Sequence, residues 1–438
     1  MTNELDKILF SYKQPDFIDR LVQVRLIVMR SAAFSATDER IDKMRDIFRE
    51  VIQRGDTAIV DFTMKFDGVK LTPAQFRVTE EELEKAHREI DSKLLKIIRR
   101  VIENVRKYQT EIFIGNKNTH PGIKYTPIKK VGICVPGASA PLPSTVVMTA
   151  VPAIVAGVKP EDIVVVSPPR YKGTIHPVTL AVCHELGIDE VYRIGGTQAV
   201  AALTFEADNI SIPKVYKIVG PGNQWVQAAK REAFGYVDID SIAGPSEVLI
   251  IANDNANPAW VAADMLSQAE HAPGSAILFT DSQELAKKVL DELKKQLNQL
   301  ERSEETVECL KKFSGIVVFE NMQDIIKWTN DFASEHLEIQ CGDESRKIAD
   351  QIENAGAIFI GEYSPVAVGD YWAGPSHTLP TGMTAKFFSG LTANDFIKST
   401  SIIEYDKKKL AESAEDIIRL AEAEGLDAHA KSIKIRQQ

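Results

Sequence analysis

Cysteine is scarce: 438 residues hold four, Cys134, Cys183, Cys309 and Cys341, and no two form a C-x-x-C pair. That spacing excludes a disulfide framework and a thiolate zinc site, and points to reduced thiols in the cytoplasm. Long apolar runs are also missing. The most apolar stretch, Val146 to Val158, is 13 residues long and is broken by Thr149, Pro152 and Gly157, so it cannot span a bilayer. Residues Met1 to Asp6 are polar and acidic, unlike a signal or transit peptide. Basic charge is not in excess. There are 52 Lys and Arg against 62 Asp and Glu, a formal charge of −10, so no nucleic-acid partner is expected. A G-x-G-x-x-G fingerprint is absent too; the nearest run, Gly220-Pro221-Gly222-Asn223-Gln224-Trp225, ends in tryptophan.

What is present is an ordinary globular composition, 44% hydrophobic and 26% charged, long enough for two or three domains. The first hundred residues read as helical. Ile41, Met44, Phe48, Val51 and Ile52 recur at helical spacing before Gly55. Thr79 with Glu82 forms a capping-box pattern opening a long helix whose stripe runs from Leu83 to Val105. From Val131 the pattern changes to short β-branched runs separated by helical stretches, near Val131, Ile163, Val191, Val215, Val248, Ala276, Ile316 and Ala357. That alternation predicts an α/β protein with predominantly parallel strands, divided between two sheets. After Asp370 a Gly/Pro loop leads into two C-terminal helices, Lys408 to Ala423 and from Leu426 onward.

Ligands of open α/β sheets bind beyond the carboxyl ends of strands. Four Gly/Pro-rich segments are placed there: Val135 to Ser144, Gly195 to Gln198, Gly220 to Asn223 and Ala243 to Glu247. Each is either a tight turn or a cradle of N–H groups for an anion, and four together favour a nucleotide or phosphate cleft. Among eight histidines, four sit in unusual company. Gln268 and His271, three apart at a helix end, can converge on one point, as metal ligands or as plain capping groups. Glu335 and His336 offer two bases of different intrinsic pKa, or simply a solvated helix end. Asp370 and His377 lie in a loop rich in aromatics and glycine, where function is common. His429, near the C-terminus, has the look of an exposed, inert histidine.

Taken in order, Val135 to Ser144, Ile194 to Leu203, Gly220 to Asn223, Ala243 to Leu249, Gln268 to His271, Ser334 to Leu337, Gly369 to Pro380 and Gly425 to His429 resemble the histidinol dehydrogenase family over nearly the whole chain. The resemblance implies two incomplete Rossmann-like domains with parallel sheets, plus small N- and C-terminal domains exchanged in a homodimer. It implies these bounds: an N-terminal arm, 1–35; a discontinuous domain, 36–133 and 253–390; an inserted NAD-binding domain, 134–252; and a helical domain, 391–438. One Zn²⁺ per subunit is expected on Gln268, His271, Asp370 and His429, the last supplied by the partner subunit. NAD⁺ is expected near Cys134, Gln198 and Asn223. The substrate, L-histidinol, is expected at Ser246, Gln268, His271, His336, Asp370, His377, Glu424 and His429. His336 and Glu335 are the implied bases of a four-electron oxidation. Cys134 stands where the family often has tyrosine, and Ser376 where asparagine is frequent. Other readings are a homologous dehydrogenase of another small polar alcohol, a metal-dependent hydrolase using Glu335, and a non-catalytic nucleotide-binding protein.

Overall fold

The computed structural model describes residues 2–32, 38–117, 120–137, 141–271, 273–300 and 303–438. Part of the segment Val135 to Ser144, residues 138–140, therefore lies outside the described residues. The strands in chain order are β1 Leu9–Ser11, β2 Ile123–Pro127, β3 Val131–Cys134, β4 Ile163–Val166, β5 Glu190–Tyr192, β6 Lys217–Val219, β7 Asp238–Ile239, β8 Glu247–Ala252, β9 Ser275–Thr280, β10 Gly315–Val318, β11 His336–Gln340, β12 Ala357–Ile360 and β13 Ile397–Ser401.

Two parallel sheets form, one ordered β5-β4-β3-β6-β7 and the other β1-β10-β9-β8-β11-β12. In the five-stranded sheet the chain starts on the inner strand β3, builds outward through β4 and β5, then returns to build on the other side. In the six-stranded sheet, once β1 has been laid at the edge, it does the same from β8. The switch points fall between β3 and β6 and between β8 and β11. The strands are buried on both faces, which is why their sequences run Ile-Val-Val-Val or Val-Leu-Ile-Ile without alternation. Each buried Val, Ile or Leu contributes roughly 1.5–3 kcal/mol of transfer free energy. On the six-stranded sheet, Val248, Ile250 and Leu278 meet Val261 and Met265 on one side, while Leu249, Ile251 and Phe279 meet Leu21 and Phe332 on the other.

Packing crosses the domain bounds expected from the sequence at four places. Residues 9–11, in the expected N-terminal arm, are the edge strand of the six-stranded sheet. The helices between 38 and 112 cover the five-stranded sheet: Met44, Phe48 and Val51 share a core with Val164 and Val166, and helix Glu80–Glu89 packs on helix Pro177–Glu185. Val131 to Cys134 belongs to that sheet throughout, whereas Glu247 to Ala252 belongs to the other. The predicted long helix is two, Glu80–Glu89 and Ser92–Ile112, because Ile90 turns extended and Asp91 caps the second through the Leu94 N–H at 2.8 Å. The Thr79–Glu82 capping box is present.

The chain divides into two compact units: residues 1–113 with 127–396, and 114–126 with 397–438. The second holds the β13–β2 pair and helices Lys407–Ala423 and Asp427–Lys434. No described helix is long and apolar enough to cross a membrane.

Candidate active site

At the switch point of the five-stranded sheet, Cys134 closes β3 and Gly220 follows β6. Gly220 holds φ +105°, and a Cβ there would lie 2.4 Å from the Cys134 carbonyl oxygen, so only glycine fits. Both main-chain groups of Gly220 are held by a buried ion pair: its N–H donates to Asp240 at 2.7 Å, and Lys230 Nζ donates to its carbonyl at 3.0 Å and to Asp240. Asn223 caps helix Gln224–Ala233, accepting from the Trp225 and Val226 N–H groups. Gln198 is fully buried with neither amide atom hydrogen-bonded. Such an unpaired amide is costly unless something else occupies its polar atoms. Burial pushes the Cys134 thiol up to about 12, so it is neutral and inert.

The link from β7 to β8 carries the chain from the carboxyl edge of one sheet to the amino edge of the other. Ser246 ends this link, and Glu335-His336 opens the neighbouring β11. The acid–base cluster is thus at the amino ends of β8 and β11, a departure from the carboxyl-end placement expected for Ala243 to Glu247. Helix Met322–Phe332 stops at Ala333, a non-glycine residue in the left-handed region (φ 45°), and the turn delivers Glu335 to the strand edge. Gly356 must be glycine, since a Cβ would come within 2.5 Å of the Glu335 carbonyl oxygen.

Ser246 Oγ donates to Glu335 Oε2 at 2.6 Å, and the Glu247 N–H donates to the same oxygen at 2.8 Å. His336 Nδ1 lies 3.1 Å from the Glu247 carbonyl, while Nε2 is buried without a hydrogen bond, 3.7 Å from Asp370 Oδ1. Burial raises the Glu335 acid, although His336, Ser246 and the Glu247 N–H favour its charged form. For His336, burial opposes the imidazolium, but Glu335 and Asp370 outweigh it and raise the ring to about 9. Burial likewise opposes ionised Asp370; the neighbouring His336, His377 and His271 hold its pKa below the usual value. The same field reaches His377, which burial lowers and Asp370 raises, with a net fall.

The structure therefore brings Ser246, Glu335, His336 and Asp370 together, with His271 and His377 inside the electrostatic reach of Asp370. Gln268 is buried near the end of helix Pro258–Ala269, its Nε2 without a partner, and His271 is exposed just beyond that helix. Glu424 and His429 lie in the second unit, at the end of helix Lys407–Ala423 and within helix Asp427–Lys434. Among the described residues, no three His, Cys, Asp or Glu side chains form a metal-binding group. The expected ligand set in the first unit holds only two of those types, His271 and Asp370, with the amide of Gln268 as third. An orphaned buried amide, and a carboxylate within electrostatic reach of three imidazoles, are N and O donors of the kind a divalent ion takes.

Sequence reasoning missed Glu247, whose carboxyl accepts from the Glu335 N–H at 3.2 Å and the Gly382 N–H at 3.1 Å. It also missed Glu338, which accepts from Val366 N at 2.9 Å, the first residue of the short helix carrying Asp370. For Glu338 the signal was an acid inside an apolar strand, Leu337-Glu338-Ile339; Glu247 closes the singled-out segment Ala243 to Glu247, where it was given no role.

The family model for histidinol dehydrogenase matches residues 31–437. A histidinol dehydrogenase from Rhodopirellula baltica is 46% identical over 404 residues, covering 91% of this chain and 87% of its own length. One from Bacillus subtilis is 44% identical over 421 residues, 94% of this chain and 97% of its own length. The crystal structure of histidinol dehydrogenase from Elizabethkingia anophelis superposes with a TM-score of 0.87 at 33% identity, covering 98% of this chain and 97% of that one. The chain belongs to the histidinol dehydrogenase family.

Proposed function

We propose that this protein is an NAD⁺-dependent oxidoreductase that converts L-histidinol, through bound L-histidinaldehyde, to L-histidine, the last step of histidine biosynthesis. One water and two NAD⁺ are consumed. The observation that carries the reading is the pairing of a Ser246-anchored Glu335 with a His336 whose Nε2 makes no hydrogen bond and faces Asp370 at 3.7 Å.

His336 Nδ1, donating to the Glu247 carbonyl, sets the tautomer in which Nε2 carries the lone pair. That nitrogen takes the alcohol proton as the carbon-bound hydrogen leaves as hydride for the first NAD⁺. Both donors to Glu335 fall on Oε2, which leaves Oε1 to take a proton from water as it attacks the aldehyde. The resulting gem-diolate gives its hydride to the second NAD⁺, which leaves the carboxylic acid. NAD⁺ belongs at the β3/β6 switch point, beside Cys134, Gln198 and Asn223. Gln268, His271, Asp370 and His429 of the partner subunit would hold Zn²⁺, whose charge anchors the substrate and offsets the pull of Asp370 on the His336 proton. Ser246 and His377, with Glu424, contact the substrate. The assembly is a cytoplasmic homodimer with shared sites.

Steady-state NADH formation from L-histidinol tests the reading. Turnover that yields two NADH per histidine, and that falls on chelation and returns with Zn²⁺, supports it. Turnover of other alcohols alone, or metal-dependent hydrolysis without NADH, would replace it.

A further inference from the structure

Glu247 is the acid for which the mechanism above has no chemical use. It is 1% exposed, and it touches the two proposed bases in three ways and the Gly382 turn in a fourth. Its main-chain N–H donates to the Glu335 carboxylate at 2.8 Å, and its carbonyl meets His336 Nδ1 at 3.1 Å. Its side-chain Oε1 accepts from the Glu335 N–H at 3.2 Å and from the Gly382 N–H at 3.1 Å. Its other oxygen, Oε2, is buried with no partner. The Gly382 turn is tied a second time to the same strand entry, through the Gly244 N–H and Thr381 Oγ.

We infer that Glu247 is a positioning residue for the oxidation proposed above. Its side chain clamps the Glu335 main chain and the Gly382 turn, so that its own main chain can aim the Glu335 carboxylate and fix the His336 tautomer.

The charge state follows from the neighbours. Two carboxylates cannot both ionise side by side in a dry site. The His336 ring, 3.5 Å from Glu335 Oε2, favours charge on Glu335, which leaves the proton on Glu247. Burial first, and then the Glu335 charge, push the Glu247 acid up to about 8. Glutamine reproduces a neutral acid of this shape, with an oxygen to accept both N–H groups. Leucine fills the volume and leaves those two groups unpaired. Aspartate is one methylene short of them.

The test compares wild type, Glu247→Gln, Glu247→Leu and Glu247→Asp, each normalised to its folded fraction. A misplacement of about 1 Å at the reacting groups lowers rates by about 100-fold, so Glu247→Leu should lose about that much kcat. Its KM for L-histidinol should stay within about threefold of wild type, and Glu247→Gln should keep kcat within about threefold. If Glu247→Leu does not fold, Glu247→Asp carries the same expectation at about a tenfold loss of kcat. Amide hydrogen exchange over residues 333–336 and 380–384 should rise in the Leu and Asp variants and not in the Gln variant. Unchanged exchange in those two variants would overturn the clamp, as would a Gln variant as impaired as Leu. Exchange needs no turnover, so wild type inert towards L-histidinol would remove the functional reading while exchange still decides the clamp.

Discussion

Glu335 and His336 are adjacent in the chain, yet their environments push them towards different tasks. Glu335 is anchored through one oxygen by Ser246 and by the Glu247 N–H. His336 is hydrogen-bonded through Nδ1, with the reactive nitrogen facing Asp370 without a hydrogen bond. A general base contributes typically 10²–10⁴-fold to its own step. Glu335→Gln keeps the volume and the Oε2 acceptor but cannot take a proton from water. It should slow oxidation of L-histidinaldehyde by about 10²-fold or more while slowing oxidation of L-histidinol much less. The two half-reactions, each followed by its own NADH signal from alcohol or aldehyde, check this. Equal losses would remove the role assigned to Glu335.

At the scale of elements, the informative feature is how turns are fixed. The loop after β6 contains no long side chain that could hold it from within, so helix Gln224–Ala233 and the end of β7 hold it from outside. Lys230 and Asp240, 1% and 4% exposed at the side chain, neutralise each other and grip both main-chain groups of Gly220. Removing one member of a buried pair leaves an uncompensated charge and typically costs about 3–5 kcal/mol. Lys230→Met should therefore lower the urea-unfolding free energy by about that amount and weaken NAD⁺ binding. Lys230→Met combined with Asp240→Asn should recover part of the stability, because asparagine can still accept from Gly220 without carrying charge. A single variant as stable as wild type would show that the pair is solvated. Glu338 works on the same principle in the other sheet, where it caps the helix that presents Asp370.

At the scale of the whole molecule, the proposed site residues are divided between two units. Six of the eight proposed substrate residues belong to the first compact unit, while Glu424 and His429 belong to the second. If that second unit serves the partner's site, two differently damaged subunits can complement each other. Mixing His429→Asn with Gln268→Ala subunits should restore up to about a quarter of wild-type activity in a randomly paired mixture, in which about half the dimers are mixed and each mixed dimer has one intact site of two. No recovery in those dimers would sink the shared site.

Much of the fold was legible because fully buried parallel strands cannot disguise themselves. Runs such as Ile163-Val164-Val165-Val166 have no polar face to alternate with, and they sit where the sequence puts them. Two very short strands were not legible, although the three-residue strands Glu190–Tyr192 and Lys217–Val219 were. Asp238–Ile239 has too few residues to show a period, and Leu9–Ser11 pairs with a strand some three hundred residues away. Motif order identified the family, but Glu247 and Lys230 stayed hidden, because an isolated charge in a strand or helix reads as solvated until its partners are known.

By itself, the sequence determined what local chemistry dictates: buried parallel strands, capped helices and no long apolar run. It also carried the ordered motifs of a known family. Only the tertiary structure decided which strands share a sheet, that the helices of the first hundred residues cover the five-stranded sheet, and that the bases gather at the amino ends of β8 and β11. The reason is physical. Local propensity acts over a few residues, whereas register, burial and the pairing of buried charge depend on groups that meet only when distant segments pack.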